Sequence, residues 1–255
     1  MPVFWREAPS DGTPVLYVHG VPDSSDTWVP FLERSGGIAV DLPGFGRSAK
    51  RGDLDFSIPG YDHFLERFLA HVGVDRVRLV VHDWGAAALA FAQRFPERIE
   101  RLVVLDAVPL LPGYRWHRIA RGWRVRLLGE ALMGATSRWS LRRVAARDSA
   151  AMPPALVDEI WSHFDGGTQR AILRLYRSAP PDVLARAGAR LGEVKAPALV
   201  LYGERDPYIP AERFASAYAE ALGGPAEHEV IAGAGHWPWL DRPELVDRVV
   251  DFATA

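Results

Sequence analysis

The chain has 255 residues, 48% of them hydrophobic, with a formal net charge of −2 and a sequence pI near 6.5. That length and apolar share suffice for one sizeable core, and the near-neutral balance gives no electrostatic case for nucleic acid or acidic membranes as partners. Cysteine is absent, which excludes a disulfide framework, a thiolate nucleophile and zinc–cysteine sites.

Met1 to Arg6 lacks a basic region followed by an apolar one, and no run of about 18 apolar residues occurs. A reducing, cytoplasmic setting without a membrane span is therefore the expectation. Short β-rich runs then alternate with longer amphipathic stretches. A first strand over Val3 to Glu7 and a turn at Ser10-Asp11-Gly12 precede strands at Val15 to Val18 and Ile38 to Asp41. A helix over Tyr61 to Val72 places Phe64, Leu65, Phe68 and Leu69 on one face. Strand Val77 to Val81, helix Ala86 to Phe95 and strand Leu102 to Leu105 follow. The alternation stops between Pro109 and Pro181, then resumes with strand Ala198 to Tyr202, helix Pro210 to Leu222, strand Glu229 to Ile231 and helix Pro243 to Phe252. This pattern predicts an α/β fold, a mostly parallel twisted sheet flanked by helices. Its core takes residues 1–108 and 182–255, and 109–181 form a mainly helical cap inserted between sheet strands.

The chemistry concentrates at Val81-His82-Asp83-Trp84-Gly85, after a strand and before a helix. It keeps the register of the G-x-S-x-G nucleophile elbow and replaces serine by aspartate. A carboxylate is ionised at neutral pH and attacks saturated carbon without help from a base, leaving an alkyl ester on itself. In chain order, Asp206 (in Tyr202-Gly203-Glu204-Arg205-Asp206-Pro207) and His236 (in Gly233-Ala234-Gly235-His236-Trp237) complete a nucleophile, acid and histidine set at strand ends. His236 would activate water against the ester, and Asp206 would orient the imidazole. Asp106, at the end of strand Leu102 to Leu105, is the alternative acid. The backbone N–H groups of Val21, in His19-Gly20-Val21-Pro22, and of Trp84 form the expected oxyanion hole. His19 and His82 fit loop-holding roles better than chemical ones. Gly44 and Gly46 lack a following Gly-Lys-Ser/Thr and read as a structural turn rather than a phosphate loop.

On these residues, together with Asp41-Leu42-Pro43-Gly44-Phe45-Gly46-Arg47-Ser48, the chain resembles the α/β-hydrolase superfamily and, within it, the aspartate-nucleophile branch of epoxide hydrolases and haloalkane dehalogenases. The resemblance implies an α/β-hydrolase fold, water as co-substrate, and neither metal nor cofactor. Epoxide hydrolases protonate the opening ring with cap tyrosines. Tyr176, in Leu173-Arg174-Leu175-Tyr176-Arg177 after Gly166-Gly167-Thr168, matches that motif, and Tyr114 is the candidate second donor. Dehalogenases need N–H donors for the halide. Trp84 supplies one, Trp116, Trp123 or Trp139 is a candidate second, but Val21 stands where many carry Asn and offers no side-chain donor. The motifs put conversion of small apolar epoxides to diols first and halide release from alkyl halides second, although Val81 replaces the glycine usual in epoxide hydrolases. A ligand-binding protein on a hydrolase scaffold is the reading from another class.

Trp28, Trp84 and Trp237 are the expected substrate contacts, with Phe45 and Trp239 adding to an apolar cavity over Asp83. From Arg115 to Arg147 the chain holds nine arginines and one carboxylate, Glu130. A solvated face is the usual outcome of such a run, with an anionic substrate, a membrane surface or another subunit, hence a homo-oligomer, as the competing readings.

Overall fold

The computed structural model describes residues 1–255, and every strand anticipated from the alternation is present. The strands are β1 (Trp5–Ala8), β2 (Val15–Val18), β3 (Gly37–Val40), β4 (Val77–His82), β5 (Ile99–Leu105), β6 (Ala198–Gly203) and β7 (Ala226–Ile231). They form one sheet in the order β1-β3-β2-β4-β5-β6-β7, parallel except for β1, which pairs antiparallel with β3 at the edge. Only six residues separate β1 from β2, and β1 bonds to β3 rather than β2, so no hairpin opens the fold.

The parallel strands β2 to β6 are buried on both faces, as a doubly covered sheet requires, and only the edge strand β7 is largely exposed. Leu16 and Val18 of β2 point into a cluster with Leu65, Phe68 and Phe91, whereas Val15 and Tyr17 point into one with Trp28, Phe31, Trp239 and Val249. Burying each such aliphatic or aromatic side chain stabilises the fold by roughly 1.5–3 kcal/mol before chain entropy is charged against it. The helix after β3 spans Ile58–His71, three residues longer at its start than its apolar face suggests, because the Ser57 side chain accepts the Gly60 N–H and Pro59 suits the first turn.

The strand order reverses between β2 and β4, and the carboxyl ends of those two strands lie side by side at that switch point. Between β5 and β6 the chain forms six helices, Arg118–Arg124, Leu128–Gly134, Arg138–Asp148, Pro154–Ser162, Gly166–Ser178 and Pro181–Ala187. Arg47, from the turn after β3, reaches Glu159 of this insertion at 2.7 Å while also pairing with Asp26 and Asp41. The Thr168 hydroxyl donates to the Gly44 carbonyl at 3.0 Å. The Gly44–Gly46 turn is thus spent on internal contacts, with the Asp41 carboxylate accepting the Ser25 and Arg47 N–H groups.

No helix is long and apolar enough to cross a membrane.

Candidate active site

Strand β4 ends at His82 and the chain turns at once into a short helical segment, Asp83–Ala87, with Asp83 at φ +47°. A non-glycine residue in that region is uncommon and its backbone is strained, and here the strain lifts one carboxylate out of the sheet's end. Two glycines make room. A β-carbon on Gly20 would lie 2.5 Å from Asp83 Oδ2, and one on Gly85 would lie 2.2 Å from the Val18 carbonyl oxygen. The elbow and the loop after β2 therefore approach as closely as backbone permits.

Asp83 Oδ2 accepts the Val21 N–H at 2.8 Å, and the Trp84 N–H also favours its charge. Both expected oxyanion-hole donors thus cradle the same carboxylate. Burial raises the Asp83 pKa, and the His236 charge and these N–H groups oppose it. The other oxygen, Oδ1, is 3.8 Å from His236 Nε2. On the far side of the ring, His236 Nδ1 meets Asp206 Oδ2 at 2.8 Å, which puts the proton of a neutral imidazole on Nδ1 and leaves Nε2 as the unprotonated nitrogen facing Asp83. Burial works against charge on His236, but the charges of Asp206, Asp83 and Asp148 prevail and raise it to about 9.

The two acids left open by the sequence take different places. Asp206 touches the histidine. Asp106 makes no bond to it: Oδ1 accepts the Gly203 N–H at 2.8 Å, Oδ2 is buried without a partner, and burial and then the Asp206 charge push Asp106 well above the usual carboxylate range. His19 and His82 hold backbone. His19 bonds the Gly20 carbonyl through Nδ1 and accepts the Leu42 N–H on Nε2, and His82 Nε2 bonds the His236 carbonyl at 2.8 Å.

Above Asp83 lies a cavity of about 730 Å³, mostly apolar and walled on one side by the insertion. Tyr176, Tyr114 and Trp237 line it. Four of the aromatic residues placed there from sequence do not. Trp28 is fully buried on the opposite face of the sheet, against Tyr17, Phe31 and Trp239, because Ser25–Trp28 coils into a 3-10 turn that swings its ring under the sheet. Trp239 stacks on it there, and Phe45 packs against His19. Trp84 is buried behind the wall, stacked on Trp116 at 5.4 Å and edge-on to Tyr176 at 5.2 Å. Its indole N–H faces the Tyr176 phenol without closing a hydrogen bond of normal geometry. Of the other tryptophans considered as halide donors, Trp116 has given its N–H to the Ala179 carbonyl, and Trp139 is 70% exposed and does not line the cavity. Trp123 alone lines the cavity with no partner for its N–H.

Several residues of the site carry no motif. His117 lines the cavity 6.3 Å from the Tyr176 ring; burial holds it neutral, lowered to about 4, and its Nδ1 accepts the Ala120 N–H, so Nε2 carries a proton. Asp148, ending the helix Arg138–Asp148, accepts the His236 N–H on its carbonyl at 2.7 Å, and its side chain accepts from Tyr208 and Arg147. The Tyr208 ring stands edge-on to His236 at 5.0 Å. Only Gly235-His236 hints at this in the sequence, since a β-carbon on Gly235 would lie 2.0 Å from the Asp148 carbonyl oxygen.

With this geometry in view, a family model described as alpha/beta hydrolase fold matches residues 13–243. The chain belongs to that family. Among curated relatives, this hydrolase is 28% identical over 270 residues to a haloalkane dehalogenase of Mycolicibacterium paratuberculosis, covering 98% of this chain and 86% of the relative. It is also 28% identical to a 2-hydroxy-6-oxo-2,4-heptadienoate hydrolase of Pseudomonas putida, covering 96% and 90%. Among solved structures, the haloalkane dehalogenase DbeA of Bradyrhizobium elkani superposes with a TM-score of 0.83 at 24% identity, covering 98% of this chain and 93% of that one, a likeness of fold. The dehalogenase names stand with the second of the two reactions drawn from the motifs rather than with epoxide opening.

Proposed function

We propose that this hydrolase cleaves a carbon–halogen bond of a small apolar alkyl halide through an ester formed on Asp83, beneath a cap made by the helices between β5 and β6. The single observation that carries the reading is the division of labour at Asp83: Oδ2 accepts the Val21 N–H, the Trp84 N–H also favours the carboxylate's charge, and Oδ1 faces His236. Oδ1 attacks the saturated carbon as the halide departs with the bonding electron pair. Water then adds to the ester carbonyl carbon while His236 Nε2 takes its proton, and the negative charge collects on Oδ2, the oxygen already lying against the Val21 N–H, with the Trp84 N–H beside the same carboxyl. Collapse releases the alcohol, regenerates the carboxylate, and leaves halide and one proton as the other products. Asp206 holds the ring in register and supports its cationic form.

Charge balance also orders the two half-reactions. Before alkylation, Asp83 is one of the charges holding His236 protonated; as an ester it carries none, so the His236 pKa falls and the ring becomes a base when one is needed. The departing group would meet the Tyr176 hydroxyl and the His117 and Trp123 N–H groups.

A second reading rests on Tyr176. Its phenol lines the cavity and keeps its proton, since burial and the Asp83 charge raise it well above the ordinary value, so it can also protonate the oxygen of an opening epoxide. Dehalogenation is placed first because the expected partner phenol is turned away: the Tyr114 hydroxyl points to the Tyr208 carbonyl at 3.4 Å.

The test is an assay of bromide release and diol formation on a matched panel of bromoalkanes and epoxides, joined to intact mass measurement of His236→Phe. Bromide release, together with one stable alkyl adduct on Asp83 in the variant, supports the first reading. Diol formation with the same adduct selects the second, and no adduct from either class refutes the shared mechanism.

A further inference from the structure

Six large hydrophobic side chains of this protein are conspicuously exposed, and five of them, Val125, Leu127, Leu128, Leu132 and Trp139, fall within fifteen residues of one another. An apolar cluster of this kind on an otherwise well-buried fold marks a surface that something covers. Leu127 is 83% exposed and Trp139 70%. The turn that presents Leu127 is built rather than frayed. The residue lies at φ +68°, the Gly129 N–H closes on the Val125 carbonyl at 2.9 Å, and Arg177 donates from below to the Trp123 and Val125 carbonyls. Leu128 and Leu132 are four apart on the next helix and share one face.

The cluster adjoins the cavity mouth. Leu132, Ala135, Thr136 and Ser140 line the cavity and retain solvent exposure, as do Arg118 and Arg147, so the helices Leu128–Gly134 and Arg138–Asp148 border its opening.

The same surface is strongly basic. Nine arginines against one carboxylate give residues 115–147 a charge of +8, so the remainder of this −2 chain carries −10. Arg138 and Arg142 pair with Asp158 across the insertion. Arg115, Arg118, Arg121, Arg126 and Arg143 are exposed and have no carboxylate within ion-pair distance; Arg143 instead lies over the Trp139 ring at 5.7 Å. Exposed leucine and tryptophan interleaved with unpaired arginine are what an anionic lipid interface binds, the rings and aliphatic chains entering the headgroup boundary and the guanidinium groups meeting phosphate.

We propose that this rim docks on an anionic lipid surface and opens the cavity directly onto the bilayer, from which an apolar substrate enters. A second copy of the chain fits the patch less well. The only other large exposed hydrophobic residue is Met1, so apolar contact between copies requires patch on patch, and that sets the unpaired arginines of one copy against those of the other. The lipid contact stands or falls independently of which bond Asp83 breaks.

Sedimentation with vesicles tests it. The protein should pellet with vesicles of equal parts phosphatidylglycerol and phosphatidylcholine, stay in solution with phosphatidylcholine alone, and be released by salt. Leu127→Ser with Trp139→Ser should weaken the partition at least about tenfold, and Arg126→Ser or Arg143→Ser about fivefold each, with unchanged circular dichroism and unchanged turnover of a water-soluble substrate. Equal binding to both vesicle types, no pelleting of the unaltered protein, or full retention by the Leu127/Trp139 variant would overturn the proposal. So would a dimer in analytical ultracentrifugation that those substitutions dissolve while vesicles capture nothing.

Discussion

The two walls of the cavity are built differently. The sheet side is held by backbone: Val21 and Trp84 N–H groups on Asp83, the His236 carbonyl on His82, and Leu42 N–H on His19, all within a few residues of strand ends. The insertion side is held by side-chain packing, Tyr176 against Trp84, Trp116 and Trp123, and Asp148 against Tyr208 of the loop after β6. Backbone cradles are cheap to specify and hard to vary, whereas packed rings are replaceable. The sheet side should therefore govern whether a reaction occurs, and the insertion side which leaving group it suits.

The sharpest way to break that division is Asp83→Ala. It removes the carboxylate proposed to bond to substrate, and turnover of every substrate class should fall at least about 10⁴-fold by halide or diol assay. Retained activity on any class would mean that another group makes the bond. Next in size is the pair Asp206→Asn and Asp106→Asn. Asp206 bonds His236 Nδ1, so its amide should favour the wrong tautomer and cost roughly 10³–10⁴-fold. Asp106 faces Gly203 N–H and is driven toward its neutral form, which an amide imitates, so its loss should stay under about tenfold. The reverse ranking would exchange their roles.

Tyr176→Phe acts on the other wall. If its hydroxyl meets the departing group, the alkylation step should slow by about 10²-fold in single-turnover measurements, while hydrolysis of the preformed ester stays near its original rate. Equal slowing of both steps would place Tyr176 in the packing of the site rather than in its chemistry.

These walls were unequally legible in the sequence. Asp83, Asp206, His236 and Val21 each follow a strand within a few residues, and a parallel sheet with one reversal in strand order brings all such ends together, so their proximity follows from topology. Asp148 meets the histidine from a helix of the insertion whose direction depends on packing, and His117 enters the cavity from the start of another, so no local spacing encodes either. Trp28 shows the limit within the core as well. Closeness to a strand end says nothing about the face on which a side chain emerges, and a single 3-10 turn sends it under the sheet. The nine-arginine run was visible at once, but not that five of those arginines lack carboxylate partners or that one of the five, Arg118, lines the cavity.

The smallest effect is in pH dependence, where the walls meet. His236 is raised to about 9 although burial opposes it, because Asp206, Asp83 and Asp148 surround it. In the alkyl-enzyme the Asp83 charge is gone, so ester hydrolysis should rise with pH and level off at a value below 9, where the ring becomes neutral. Asp148 belongs to the insertion. Converting it to Asn removes one more negative charge that favours the imidazolium, so the acid limb of the hydrolytic step should move to lower pH, by less than about one unit. Its backbone carbonyl, which accepts the His236 N–H, survives the substitution, so the ring stays where it is. A limb that moves upward, or a change confined to the alkylation step, would mean that the insertion does not tune the base and that the division between the two walls is complete.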